Sequence, residues 1–122
     1  MAIVRIAALE NQNHYRAGDP PYKVRPACLI IGGKDTVRFL NRTGVDVELN
    51  QVGSANPQLT FKQGTGAATK GPMMVAKDGW TTIGHTGSRG HFRFRVMYES
   101  SPGKGFTSEI HGESSPEIIV DQ

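Results

Sequence analysis

Apolar and polar residues alternate most regularly at positions 90–98, which read G-H-F-R-F-R-V-M-Y. The apolar residues stand two apart, at Phe92, Phe94 and Val96, and Arg93 and Arg95 stand between them. Because successive side chains of a β-strand point to opposite faces, this pattern predicts a half-buried strand. One face of the strand is expected to be aromatic and buried, and the other face basic and exposed.

Shorter apolar runs, separated by Gly, Pro, Asn and Asp, predict further strands along the rest of the chain. They cover residues 3–9, 22–31, 35–41, 45–52, 58–61, 73–76, 80–83, 106–111 and 116–120. Pro26 lacks the N–H that a sheet ladder needs, so it predicts a strand edge or a crossing between sheets within the second of these strands. A short turn joins 35–41 to 45–52, and these two strands are expected to form a hairpin.

The predicted strands define the fold class. No long stretch shows the periodicity of an amphipathic helix. These short strands with frequent turns predict an all-β fold, in which two antiparallel sheets pack as a Greek-key sandwich. The 122 residues fit one domain, 1–122. Its core is expected to contain the large aromatic side chains of Phe39, Trp80, Phe92, Phe94 and Tyr98.

Cysteine content and charge narrow the range of protein classes to which the chain could belong. Cys28 is the single cysteine, which excludes an intramolecular disulfide and a Cys-rich zinc site, and it is expected to be a small buried hydrophobe. The sequence has no apolar run of membrane-spanning length and no charged segment ahead of its apolar start, so a soluble, cytoplasmic protein is expected. The net charge of +3 slightly favours anionic partners.

Three segments resemble a known family. Residues 24–44, V-R-P-A-C-L-I-I-G-G-K-D-T-V-R-F-L-N-R-T-G, resemble the second and third strands of the cupredoxin-like β-sandwich family. Residues 89–98, R-G-H-F-R-F-R-V-M-Y, resemble that family's G-x-Y-x-Y strand, and residues 116–120, P-E-I-I-V, resemble its closing strand. The resemblance follows most of the chain in order and implies a cupredoxin-like sandwich.

The same resemblance implies where a blue-copper site would lie. Such a site needs two His, one Cys thiolate and a weak axial ligand, usually Met. The family's first His follows the Asn that closes the third strand, but residues 42–51 contain no His. The Cys should follow the strand that ends near Tyr98, where residues 99–102 read E-S-S-P, while Cys28 and Met97 stand elsewhere. No type 1 copper ligand is matched, and no cofactor is expected.

Histidines provide a second hypothesis about metal. His85 and His91 flank a Gly-rich turn, and a sandwich could bring His111 close to them, which would give an open site for a divalent metal. No pair among them has a recognised ligand spacing. The alternative is that all three are surface or loop histidines.

Arginines provide a third hypothesis. Arg93 and Arg95 share one side of their strand, and Arg38 with Lys23 or Arg25 could join them from neighbouring strands to form an anion-binding surface. The alternative is a solvated face neutralised by Asp46, Glu48 or Glu99. Aromatic residues are missing among the cations of this face, which disfavours nucleic acid as a partner.

No catalytic motif is present. The G-T-G-A-A-T-K-G segment at 64–71 lacks the order and the following helix of a phosphate-binding P-loop. The sequence therefore predicts a non-enzymatic binding or interaction module whose ligand is an unidentified protein or small molecule. Exposed edge strands are compatible with a homodimer.

Overall fold

A computed structural model describes residues 2–8, 22–52, 59–69, 71–85, 89–110 and 116–121, and the side chains of all of these except 7 and 8. Its strands are β1 (Ala2–Ala8), β2 (Tyr22–Arg25), β3 (Cys28–Ile31), β4 (Val37–Arg42), β5 (Val47–Gln51), β6 (Leu59–Lys62), β7 (Met73–Val75), β8 (Trp80–His85), β9 (Gly90–Tyr98), β10 (Ser108–Ile110) and β11 (Glu117–Val120). No helix long and apolar enough to span a membrane occurs in these ranges.

The strands form two sheets. Sheet 1 has the order β2-β1-β4-β8-β6, and sheet 2 has the order β3-β11-β9-β5-β7. Strand β10 pairs with the end of β9 and also belongs to sheet 2. The predicted all-β fold of two sheets is confirmed. Two neighbouring pairs, β1 with β4 and β3 with β11, are parallel, so the sheets are mixed rather than purely antiparallel.

Alternating side chains from both sheets fill the space between them. Phe39 of sheet 1 meets Phe94 of sheet 2 edge to face, with ring centroids 6.4 Å apart. Tyr22 and Tyr98 make the same kind of contact at 5.5 Å. These aromatic pairs tie the two layers together.

Two predictions about the core are wrong. Trp80 is 38% exposed, because Thr81 and Ile83 are the residues of β8 that point inward. Cys28 is exposed, because Leu29 and Ile31 are the residues of β3 that pack against the core. The other predicted aromatic core residues are confirmed as buried: Phe39, Phe92, Phe94 and Tyr98.

The chain crosses between the sheets at Pro26, which lies between β2 in sheet 1 and β3 in sheet 2. It crosses again after β4, so the predicted hairpin between residues 35–41 and 45–52 is wrong: β4 belongs to sheet 1 and β5 to sheet 2. The crossing follows Asn41, which is fully buried.

The side-chain amide of Asn41 holds this crossing in place. Its nitrogen Nδ2 lies 2.7 Å from the carbonyl oxygen of Val45, 3.1 Å from that of Val75 and 3.2 Å from that of Ala76. Its oxygen Oδ1 accepts hydrogen bonds from the backbone N–H and the hydroxyl of Thr43. A two-strand hairpin would leave these carbonyl groups without this donor.

Candidate functional site

The outer face of sheet 1 concentrates positive charge. The five strands of this sheet contain six basic residues and, over the same printed ranges, no Asp or Glu. Each basic side chain alternates with a buried residue, as Arg38 does between Val37 and Phe39, so it points away from the core. The basic residues are Arg5, Lys23, Arg25, Arg38, Arg42 and Lys62.

Strand register arranges these side chains in rows across the sheet. One row contains Arg25, Arg5, Leu40 and Trp80, on β2, β1, β4 and β8. The next row contains Ile3, Arg38, Thr82 and Lys62, on β1, β4, β8 and β6. Since neighbouring strands lie ~4.8 Å apart, each row extends over roughly 14 Å. The two rows together form a broad surface in which cations surround apolar side chains.

Arg5 and Arg25 are direct partners across the β1–β2 ladder. Like charges in directly opposite positions destabilise a sheet. Within the described residues, the ion pairs are Arg89 with Asp121 and His91 with Glu117, so no carboxylate offsets this pair. An anion bound between the two guanidinium groups would offset it.

Arg38 stacks on Trp80. The guanidinium carbon of Arg38 lies 4.3 Å from the centroid of the indole ring, in a cation–π arrangement. The Nε atom of Arg38 is buried and has no hydrogen-bond partner in the part of the chain that the structure describes. Leu40 is the cross-strand partner of Trp80. Leu40 and Trp80 therefore form an apolar patch beside Arg38, and Arg5 lies next to Leu40 in the same row.

The outer face of sheet 2 is different in charge. Its strands contain two basic residues, Arg93 and Arg95, and three acidic residues, Glu48, Glu109 and Glu117. Glu117 is directly opposite Arg93 on the neighbouring strand. The opposite charges within this face neutralise each other.

The predicted grouping of Arg38 with Arg93 and Arg95 is wrong. Arg38 is on β4 of sheet 1, whereas Arg93 and Arg95 are on β9 of sheet 2, and all three point away from the core. Lys23 and Arg25 share sheet 1 with Arg38. Anion binding by Arg93 and Arg95 themselves stays a prediction.

The structure does not bring His85 and His91 together. The His85 ring lies 6.2 Å from the ring of Phe92, which points into the core, and its Nε2 is 3.3 Å from the carbonyl oxygen of Asp35. His91, one residue before Phe92, points the opposite way, and its Nδ1 lies 2.8 Å from Oε1 of Glu117. His111 is outside the described residues. A metal site that uses all three stays a prediction.

A shallow depression of about 320 Å³ lies at one end of the sandwich, bordered by residues 44–46, Lys77, Glu99 and Phe106. Both carboxylates at its border are engaged by the backbone. Asp46 accepts a hydrogen bond from the N–H of Lys77, and Glu99 accepts one from the N–H of Gly105. These contacts fix the loops and give the depression no evident chemistry.

Sequence reasoning missed part of the basic face: Arg5, Arg42, Lys62 and the exposed Trp80. A signal for the first three was present, because each follows a buried apolar or polar residue of a short strand. What the sequence did not supply was the pairing of those strands in one sheet. The basic residues form one surface only because their strands pair in the same sheet.

Comparison with known proteins supports the fold. No protein-family model matches the chain, and neither does any curated protein. Among solved structures, an amicyanin mutant in its reduced state has a TM-score of 0.53 and 16% identity, covering 98% of this chain and 81% of that one. A second amicyanin mutant, in its reduced Cu(I) form, has a TM-score of 0.53 and 17% identity, covering 98% and 82%. The chain has a cupredoxin-like fold.

Among the residues that the structure describes, the His and Cys donor atoms do not fit type 1 copper. Such a site requires one thiolate and two imidazoles around the same ion. Cys28 is on the exposed edge strand β3, His91 is two strands away on β9, and His85 is beside Phe92 on the core side of that strand. In the described ranges no three His, Cys, Asp or Glu residues are arranged to hold a metal ion. At the identities found, the likeness to amicyanin concerns the fold alone.

Proposed function

We propose that this cupredoxin-like domain is a non-enzymatic binding module, and that it holds polyanions on the outer face of sheet 1. The observation that carries the proposal is the segregation of charge, with six basic residues and no acidic residue in the strands of that sheet. Arginine is suited to this role because its planar guanidinium can bind a phosphate or sulfate group with two parallel hydrogen bonds.

A solvated face that only keeps the protein soluble accounts less well for the pattern. Cations that prevent aggregation are most useful on edge strands. Here Arg5, Arg38 and Arg42 are on β1 and β4, which have neighbours on both sides. Solubility would also be served by mixed charges, as on sheet 2, without the repulsion between Arg5 and Arg25. A polyanion accounts for both features.

Heparin affinity can test the proposal. Binding of heparin would be measured by calorimetry at several salt concentrations for the wild type, for the double variant Arg5→Gln with Arg25→Gln, and for the double variant Arg93→Gln with Arg95→Gln. The two variants lose the same formal charge from opposite faces. We expect the wild type to bind and the first variant to bind about tenfold more weakly. The slope of log affinity against log salt concentration should become shallower by about one to two, because two cations are removed.

The second variant is the matched control and should bind within about twofold of the wild type. Equal weakening of both variants would mean that only total charge matters, and no binding by the wild type would refute the proposal outright. Weakening confined to Arg93 and Arg95 would instead support the anion-binding surface predicted on sheet 2. Urea denaturation of each variant establishes that it is folded.

A further inference from the structure

The basic face of sheet 1 contains a flat aromatic platform that a simple anion site would not need. Trp80 is 38% exposed and is the partner of Leu40 at the end of the row that begins with Arg25 and Arg5. Arg38 lies against its ring. A partly exposed indole offers a ring face for contact with a planar ligand. Because basic residues lie on the same face, the expected ligand is both planar and anionic.

We propose that the polyanion is single-stranded nucleic acid, with bases stacking on Trp80 and Arg38 while the surrounding cations bind the phosphates. This inference rests on the proposed function. Proteins that bind single strands combine a cationic track for the backbone with aromatic side chains or Arg planes for the bases. The row of Arg25, Arg5, Leu40 and Trp80 supplies both parts in sequence across the sheet.

The chemistry of the face separates this ligand from other polyanions. A sulfated polysaccharide has charge but no planar ring, so it would make no use of the stacked Arg38 and Trp80. A nucleic-acid duplex keeps its bases stacked on one another inside the helix and is read in its grooves by an inserted helix or ribbon. A broad sheet face suits bases that are unstacked and laid against it.

The sequence-based argument against nucleic acid assumes one face that joins Arg93 and Arg95 to Arg38 and to Lys23 or Arg25. The structure divides these cations between two sheets, and the described strands of sheet 2 place no aromatic side chain beside Arg93 and Arg95 on the outer face. On the face of sheet 1, the Trp80 ring contacts Arg38. No base-specific hydrogen bonding follows from stacking, so binding is expected to tolerate any sequence.

Trp80 is the single tryptophan of the chain, so intrinsic fluorescence reports on it alone. The experiment titrates the protein with a 20-residue oligothymidylate, a duplex of equal length, heparin, and vesicles containing anionic phospholipid. We expect saturable quenching by oligothymidylate and tighter binding to it than to the duplex. Heparin should bind with little quenching, since it makes no contact with the ring.

Two variants separate stacking from charge. Trp80→Ala should weaken oligothymidylate binding by about tenfold and change heparin binding less than about twofold, whereas Trp80→Phe should keep most of the affinity. Arg38→Lys keeps the charge but removes the planar group, and it should weaken oligothymidylate more than heparin. Because Arg38→Lys leaves the indole in place, it remains informative if Trp80→Ala does not fold.

The outcomes distinguish this inference from the proposed function. If heparin binding requires Arg5 and Arg25 but the Trp80 and Arg38 variants affect both ligands equally, the surface binds polyanions and the inference about single strands is wrong. Tighter binding to the duplex or to the vesicles also overturns it. If neither heparin nor oligothymidylate binds, both proposals fail.

Discussion

Arg5 and Arg25 are directly opposite each other on β1 and β2, with both side chains exposed on the outer face of sheet 1. Two cations in this relationship repel each other, so the folded protein gives up some stability to keep them there. Stability and binding should therefore respond in opposite directions when one of the two charges is reversed.

The substitution Arg25→Glu places a carboxylate opposite Arg5. We expect the free energy of unfolding to rise by about 0.5 kcal/mol, because an opposite-charge pair replaces a like-charge pair. Heparin affinity should fall by more than about tenfold, because a cation becomes an anion within the face. Urea denaturation and calorimetry measure the two effects. Arg95→Glu is the control: Arg95 is opposite the neutral Asn50, so no comparable stabilisation is expected.

Asn41 should be among the most sensitive polar residues. Asn41→Ala removes the amide that lies within hydrogen-bond distance of the carbonyls of Val45, Val75 and Ala76, and these groups are close to or within the core. Leaving buried acceptors unpaired should lower the free energy of unfolding by about 3 kcal/mol. Asn50→Ala loses one hydrogen bond to Glu48 and should cost less than about 1 kcal/mol. If urea denaturation gives the same loss of unfolding free energy for Asn41→Ala and Asn50→Ala, the role assigned to Asn41 is contradicted.

Gly71 and Gly103 form a matched pair of glycines with positive φ, at +99° and +87°. An added Cβ at Gly103 meets no atom within 4 Å, whereas at Gly71 it lies 3.1 Å from the Phe61 ring and 3.2 Å from the Leu49 carbonyl oxygen. Gly103→Ala should cost about 1 kcal/mol for backbone strain alone. Gly71→Ala should cost about 1–3 kcal/mol more, because the added Cβ would crowd a fully buried ring and a backbone carbonyl. Thermal and urea denaturation should rank the two variants in this order.

Cys28 should react with a thiol reagent such as Ellman's reagent in the native protein, because the residue is exposed on the edge strand β3. We expect one thiol per chain to react without denaturant, and Cys28→Ser to change the free energy of unfolding by less than about 1 kcal/mol. Reaction only after unfolding would instead favour the buried position that the sequence suggested.

Alternation along the chain predicted the strands and the two-layer fold, because a buried face requires a period of two wherever a strand lies. It did not predict which sheet each strand joins. Residues 35–41 and 45–52 each have a well-formed inner face, and that face packs equally well from either layer. The hairpin was therefore the natural expectation, and the Asn41 contacts that direct the chain across the sandwich depend on residues more than thirty positions away.

The basic face was harder to predict, because it also depends on which strands are neighbours in a sheet. Arg38 was correctly expected on an outer face, but its neighbours follow from the parallel pairing of β1 with β4. The sequence interpretation places Trp80 in the core, on the apolar side of its strand. Trp80 and Ile83 are three residues apart and cannot share one face of a strand, so the two-residue period requires one of them to lie on the outer face.

Over the described strands, sheet 1 has more positive charge than sheet 2, so the two outer faces of the sandwich differ in charge. Such a molecule is turned by the field of a charged polymer before the two meet, so that it arrives with the same side first each time. Copies aligned in this way along a strand would all present the opposite layer outward, with the exposed side chains of Ile30 and Met74 facing the surroundings. The bound protein would thus cover the phosphate backbone with a surface that is partly apolar.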